Sequence, residues 1–373
     1  MEFVPKRRFI FVALVSRKWR KAWGRRATMT SLVPMDASIS QLTCAVEYGM
    51  PFDRDEISLV FVRSGKLKLL QWAWGSDFPW RRRLCTTAAA GGHLDVLQWL
   101  RHKGCFWDAA TCSSAARKGH LTILRWAHEN GCPCDKTSSI EAARGGHLDV
   151  LQWLRKSGCD WDWETCEVAA GGGYLKVLKW LRDQDCPWNE ATCRAAARGG
   201  HLAVLVWARK NGCPWNAGTS SAAASSGQLA VLRWCRANSC PFEAFACTCA
   251  AMDGDLAVLK WLRRSGCPWT EFTITAAAEN GHLHLLQWAR AHGCPWDTMA
   301  CSQAARAGHL TILQWLRRSG CPWDERTCGN AASGGHLSIL QWARQNGCPW
   351  GSWTIKEANE GGYPDIASWA LEN

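Results

Sequence analysis

The chain has no apolar run long enough to cross a membrane. The longest near its start, Phe9–Val15, falls well short of the ~20 residues a spanning helix needs. It is followed by Arg17 and Lys18 rather than by small residues, so a secretory signal peptide is not expected and the protein should be intracellular, cytoplasmic or nuclear. There is no Walker-type phosphate loop, no Gly-x-Ser-x-Gly elbow and no His-Glu-x-x-His pair, so neither an enzyme nor a cofactor is expected. Although the chain has 21 cysteines, it contains no Cys-x-x-Cys pair. Cys132-Pro133-Cys134 and Cys247-Thr248-Cys249 are isolated, and no metal site is expected from them. Excess positive charge is also missing from most of the chain. The formal net charge is +12, but residues 1–30 hold nine Lys and Arg against Glu2 alone, which leaves only +4 for everything after them. A broad basic face for nucleic acid is therefore not expected.

The chain does have a period. Trp72, Trp99, Trp126 and nine further tryptophans up to Trp369 stand 27 residues apart without a slip, making twelve copies. A fixed period of this length signals stacked supersecondary units rather than one globular core. Seven residues before each index Trp stands a Gly, as at Gly65, Gly92 and Gly119, which suggests a turn with positive φ. Leu121, Ile123, Leu124 and Trp126 and their equivalents make one broad apolar face of a short helix. Gly-Cys-Pro-Trp-Asp ends that helix, with Gly in the C′ position and Pro blocking continuation. Asp108, Asp162, Asn189, Asp297 and Asp324 are placed to cap the next helix, whose centre is small: Ala88-Ala89, Ala115-Ala116, Ala142-Ala143. Two residues after the index Trp, nine of the ten copies between the first and the last carry Arg (Arg101, Arg155, Arg182 and onward to Arg344), in the last turn where a cation suits the helix dipole.

Ala115-Ala116, then Gly119-His120-Leu121, then Ile123, Leu124 and Trp126, then Gly131-Cys132 resemble the ankyrin repeat position by position, and the resemblance covers residues 58–373. It implies an all-α, ankyrin-like helix-turn-helix solenoid of about twelve repeats. An ankyrin repeat has ~33 residues; these have 27, and the missing ones fall where the family's β-hairpin would be, so hairpins should be reduced or absent. The resemblance also implies that the recurrent His (His93, His120, His147, His201, His282, His309, His336) bridges turns by hydrogen bonds and that the index Trp fills a core Leu position.

Outside the array, residues 1–30 carry Phe9, Val12, Ala13, Trp19 and Trp23 at helical spacing with basic residues between them. Ala13–Arg20 resembles the closing helix of an F-box, without that family's opening segment. Three readings stay open: a basic amphipathic cap, an F-box-like helix docking a ubiquitin-ligase adaptor through Val15, Trp19 and Trp23, or a targeting or anionic-surface segment. Residues 31–57 read as a degenerate capping half-repeat, with Gly49-Met50-Pro51-Phe52-Asp53 one residue out of register.

Seventeen of the cysteines fall in two repeat columns and should be buried and reduced. Partners in one column lie a layer apart, beyond disulfide reach. The expected function is a non-enzymatic protein-interaction scaffold, monomeric, with no nucleic-acid or membrane partner. Substrate adaptor for ubiquitin ligation and polyanion binder through the Arg101-type column are the alternatives. Recognition should use columns that vary while facing solvent. Two such columns, four residues apart in the first helix, run from Thr86/Ala90 and Ser113/Arg117 to Ser302/Arg306. Within them Arg117, Arg144, Arg194 and Arg198 form the specific candidate, because guanidinium suits carboxylate or phosphate on a partner.

Overall fold

A computed structural model describes residues 54–74 and 83–373. These residues form 24 helices, and no strand occurs among them. The shortened period has removed the hairpin and kept the helix pair. The segments 1–30 and 31–53, including Val15, Trp19 and Trp23, lie outside the described residues. The first described helix, Arg54–Arg63, begins before residue 58, where the sequence reading starts the array.

Each repeat is a short first helix, a glycine turn, a second helix and a loop, as in Ala109–Arg117 followed by Leu121–Glu129. The first helix buries Thr111, Cys112, Ala115 and Ala116, and the second buries Ile123, Leu124 and Ala127. Small residues on the first helices let neighbouring backbones pack closely. The aliphatic residues of the second helices fill the layer behind them. Burying one such aliphatic side chain is worth about 1.5–3 kcal/mol.

The punctuation follows the sequence chemistry. Asp108 is extended, and its carboxylate accepts from the amide of Ala110 at 3.1 Å. Asp162, Asn189, Asp297 and Asp324 cap in the same way. All twelve turn glycines have φ between 67° and 85°. A second reason for glycine appears at Gly119, where an added Cβ would lie 2.6 Å from the ring of His147, which belongs to the following repeat. At the helix-ending loop, two copies lack glycine yet keep the left-handed turn, with Asp185 at φ 59° and Ser239 at φ 60°.

The described chain divides into two compact units, one reaching through Ala169 and including Lys176–Cys186, the other made of Ala170–Leu175 and Pro187–Asn373. Within each unit the first helices of successive repeats pack on one another in sequence order. In the first unit Leu84–Gly91 packs on Ala109–Arg117, and that helix on Lys136–Gly145. In the second unit the series runs from Glu190–Arg198 to Ser352–Glu360.

Candidate functional site

Most of the recurrent side chains are spent holding repeats together. The histidines form one ladder. His93, His147, His201, His282, His309 and His336 each place Nε2 3.0–3.1 Å from the carbonyl oxygen thirty residues earlier, at the end of the preceding first helix. The loop thiols form a second ladder. Cys132 donates to the Asp108 carbonyl at 3.3 Å, and Cys186, Cys213, Cys240, Cys267, Cys294, Cys321 and Cys348 repeat the bond to the residue 24 positions back, at 3.3–3.7 Å. Each thiol thus ties its loop to the loop before it. All twenty described cysteines are free, and all but Cys134 are buried.

The Arg101-type column is committed as well. The guanidiniums of Arg101, Arg155, Arg209, Arg263, Arg290, Arg317 and Arg344 lie 3.9–4.6 Å above the ring of the Trp six residues later. Arg101, Arg182, Arg209, Arg263, Arg290 and Arg317 also donate to the carbonyl of the loop Cys. That loop Trp meets the index Trp 19 residues on, with centroids 5.5–6.1 Å apart, edge to face in seven repeats and tilted in an eighth, Trp350 with Trp369. Here the structure differs from the core position expected for the index Trp. These indoles are half-buried and form an Arg–Trp–Trp stack beside the core, which is sealed by Val, Ile, Leu, Ala and Cys.

The variable columns of the first helix divide in two. Arg117, Arg144, Arg198, Met252, Glu279 and Arg306 are exposed. The column four residues earlier is not uniformly the solvent-facing one expected from the sequence: Ile140, Ser221, Thr248, Thr275 and Ser302 are buried, because that position faces the seam between neighbouring first helices. Thr86, Ser113 and Glu167 in that column are half-buried, and Arg194 is exposed. Of the candidate arginines, Arg117 and Arg144 come together on one acid: Glu141 lies 3.5 Å from the first and 3.1 Å from the second, and Arg144 also lies 4.0 Å from Glu164. These are surface pairs of small energetic weight. Arg194 and Arg198 lie a turn apart on Glu190–Arg198, in the second unit.

The sequence reading missed an apolar groove in the second unit. Phe245 and Phe272 project from consecutive first helices and are 58% and 52% exposed, and Met252 is 44% exposed. With Thr248, Thr275 and Met299 they line an open groove of about 510 Å³. A signal was available. The equivalent helix position is Ala110, Thr137, Glu164, Ala191 and Gly218 in the preceding copies, and then Phe twice in succession.

Among the described residues, no group of three or more His, Cys, Asp and Glu is arranged to hold a metal ion, and no helix is long and apolar enough to cross a membrane.

Residues 112–155 match the family model described as ankyrin repeats in many copies. None of the curated proteins matches the chain. Among solved structures, similarity is found to the pentatricopeptide repeat protein PPR10 crystallised with an 18-nucleotide psaJ RNA element, at 16% identity and a TM-score of 0.38, over 99% of this chain and 68% of that one. A cysteine-substituted form of the same protein in the same complex gives the same values.

Proposed function

We propose that this chain, an array of ankyrin-type helical repeats, is a non-enzymatic scaffold that binds a protein partner along the exposed face of its first helices. The observation that carries this reading is the pair Phe245 and Phe272, two large apolar side chains left in solvent on adjacent repeats. The His, loop-Cys, Arg101-type and Trp columns already have partners within the chain. What stays free to vary without loosening the array is the first-helix face. An apolar groove with Glu279 in its lining suits a partner segment that inserts one or two apolar side chains and pairs charge at the rim. Arg194 and Arg198 share the unit with this groove and supply cations on the same helix face. Arg117 and Arg144, gathered on Glu141, offer a second charged contact in the other unit.

The polyanion reading is disfavoured by the Arg101-type column. Its guanidiniums stack on Trp and donate to loop carbonyls, so they do not form a row of free charges.

The test replaces Phe245 and Phe272 together with Ser, in a first protein, and Arg194 and Arg198 with Ser, in a second. Helicity and melting should be unchanged. Captured partners should lose about 2 kcal/mol or more of affinity, ~30-fold in Kd, from the Phe pair, and a smaller amount from the Arg pair. Retention of every partner by both proteins sinks the assignment of this face. RNA binding with a steep salt dependence, unaffected by the Phe pair, would return the polyanion reading. Co-purification of a ubiquitin-ligase adaptor, lost on changing Val15, Trp19 and Trp23, would add the adaptor role.

A further inference from the structure

One second helix, Leu256–Arg264, carries three cations, Lys260, Arg263 and Arg264, and no acid. Asp255, its neighbour in sequence, is held at the opposite end, where it caps the amide of Val258 at 2.9 Å. The three cations line an open cavity of about 370 Å³ together with Trp269 from the loop that follows and Trp288 and His292 from the next repeat. No Asp or Glu stands in its walls. All six residues belong to the second unit, on second helices and the loops after them, whereas Phe245 and Phe272 belong to first helices.

Arg263 is partly committed. Its guanidinium lies 4.1 Å above Trp269, and one of its N–H groups donates to the Cys267 carbonyl. Lys260 and Arg264 keep their charge unmatched: among the described residues neither forms an ion pair, and the Lys260 ammonium stands 5.7 Å from the centroid of Trp288. His292 stacks on Trp288 with centroids 4.2 Å apart, and its Nδ1 donates to the Trp288 carbonyl at 2.8 Å. Nε2 is then the nitrogen left for a ligand, and it donates when the ring is protonated. The combination occurs once in the array. The Lys260 position is Gln287, Gln314 and Gln341 in the copies that follow. In earlier copies Arg125 shares its helix with Glu129 and Lys179 with Asp183, and the His292 position is Ser265, Ser319 or Asn346 in neighbouring copies.

We propose that this cavity binds a phosphate monoester. Two unmatched cations and the remaining donors of Arg263 call for more than the single charge of a carboxylate. A phosphate monoester carries about two negative charges at neutral pH and three acceptor oxygens, enough for Lys260, Arg264 and the free edge of Arg263 together. Indole walls on two sides lower the local dielectric and concentrate the positive field on the cavity. A diester carries one charge and two free oxygens, so it satisfies fewer of these donors. The cavity is wide enough to admit the phosphoryl group with part of the molecule that bears it.

The test titrates methyl phosphate into the full-length chain at low salt and follows the heat. One saturable site is expected, with dimethyl phosphate binding about tenfold more weakly or less. Lys260→Gln with Arg264→Gln installs the residue that other repeats carry at each position, so melting should be unchanged while Kd for methyl phosphate rises about tenfold or more. Arg318→Gln, in the same column as Arg264 but beside Gln314 and Asn346, should leave Kd as it is, and so should Phe245→Ser with Phe272→Ser. A phosphoserine peptide with neutral flanks identifies the source: tighter binding than methyl phosphate points to a phosphorylated protein segment, equal binding to a small phosphorylated metabolite. No saturation at millimolar methyl phosphate, equal affinity for the diester, or equal losses from Arg318→Gln and from the Lys260 and Arg264 pair would each overturn the proposal.

Discussion

Two residues show what the repeat rule demands by breaking it. Asp185 and Ser239 hold the left-handed turn that glycine occupies in the other loops, and a side chain there costs about 1–2 kcal/mol. Ser239→Gly should therefore raise stability by about 1 kcal/mol, measured as a shift in denaturant midpoint at constant slope. A drop in midpoint would mean that the Ser side chain supplies a compensating bond. Gly119→Ala should destabilise by more, because the new Cβ meets both a disfavoured φ and the His147 ring. The buried thiols make a separate statement about pH. Burial pushes Cys294 up to about 12. Its folded-state pKa is above the unfolded value, so the unfolded chain loses that proton first as pH rises. The stability contribution is whole below ~8.5 and is lost on the way to about 12. Melting temperature should fall steadily above pH 9, and Cys294→Ala should flatten the fall. Equal slopes for both proteins would show that Cys294 does not contribute.

At the scale of the element, the loop after the second helix is stabilised by three contacts that share atoms in the repeats of Arg209, Arg263, Arg290 and Arg317. The Arg stacks on the loop Trp, donates to the loop Cys carbonyl, and the loop Cys thiol reaches back to the preceding loop. Arg290 illustrates this, with its guanidinium 3.9 Å from the centroid of Trp296, its hydrogen bond to the Cys294 carbonyl at 3.3 Å, and the Cys294 thiol 3.5 Å from the Thr270 carbonyl. Lysine keeps the charge and the dipole effect but loses the flat face and the fork of donors. Arg290→Lys should thus cost about 1 kcal/mol, and Arg290→Lys combined with Trp296→Leu should cost less than the sum of the two. Strict additivity in that double-mutant cycle would show that stacking is not the contact at work.

For the whole molecule, each repeat is supported by its neighbours, so rungs lost close together should matter more than rungs lost apart. They cluster between residues 225 and 255. Asp255 replaces His and caps its own helix through the amide of Val258, with no bond to the repeat before. Glu243 makes no side-chain cap. Phe242 replaces Trp, and Arg236 stands 5.8 Å from its centroid. The Cys240 thiol bond, at 3.7 Å, is the longest of its ladder. Hydrogen exchange should accordingly be faster in Leu229–Ala237 and Ala244–Met252 than in Leu310–Arg318 and Leu337–Gln345. Uniform protection across these four helices would refute the link between rungs and local stability. The exposed Phe245 and Met252 belong to this same stretch, which places the proposed partner groove where the second unit is least braced.

The sequence by itself determined the elements and their punctuation. A strict 27-residue period, Gly119 and its equivalents, Asp108-type caps and paired alanines specify two short helices and their turns through contacts within a few residues, and twelve repetitions average out local ambiguity. The choice of which columns stay in solvent was decided only by tertiary structure. Thr248 and Thr275 vary as a surface position would, yet the packing of neighbouring first helices buries them, while Phe245 and Phe272, three residues earlier, are left outside. Nothing in a 3.6-residue periodicity separates those two faces, because the difference depends on the angle at which the next repeat arrives.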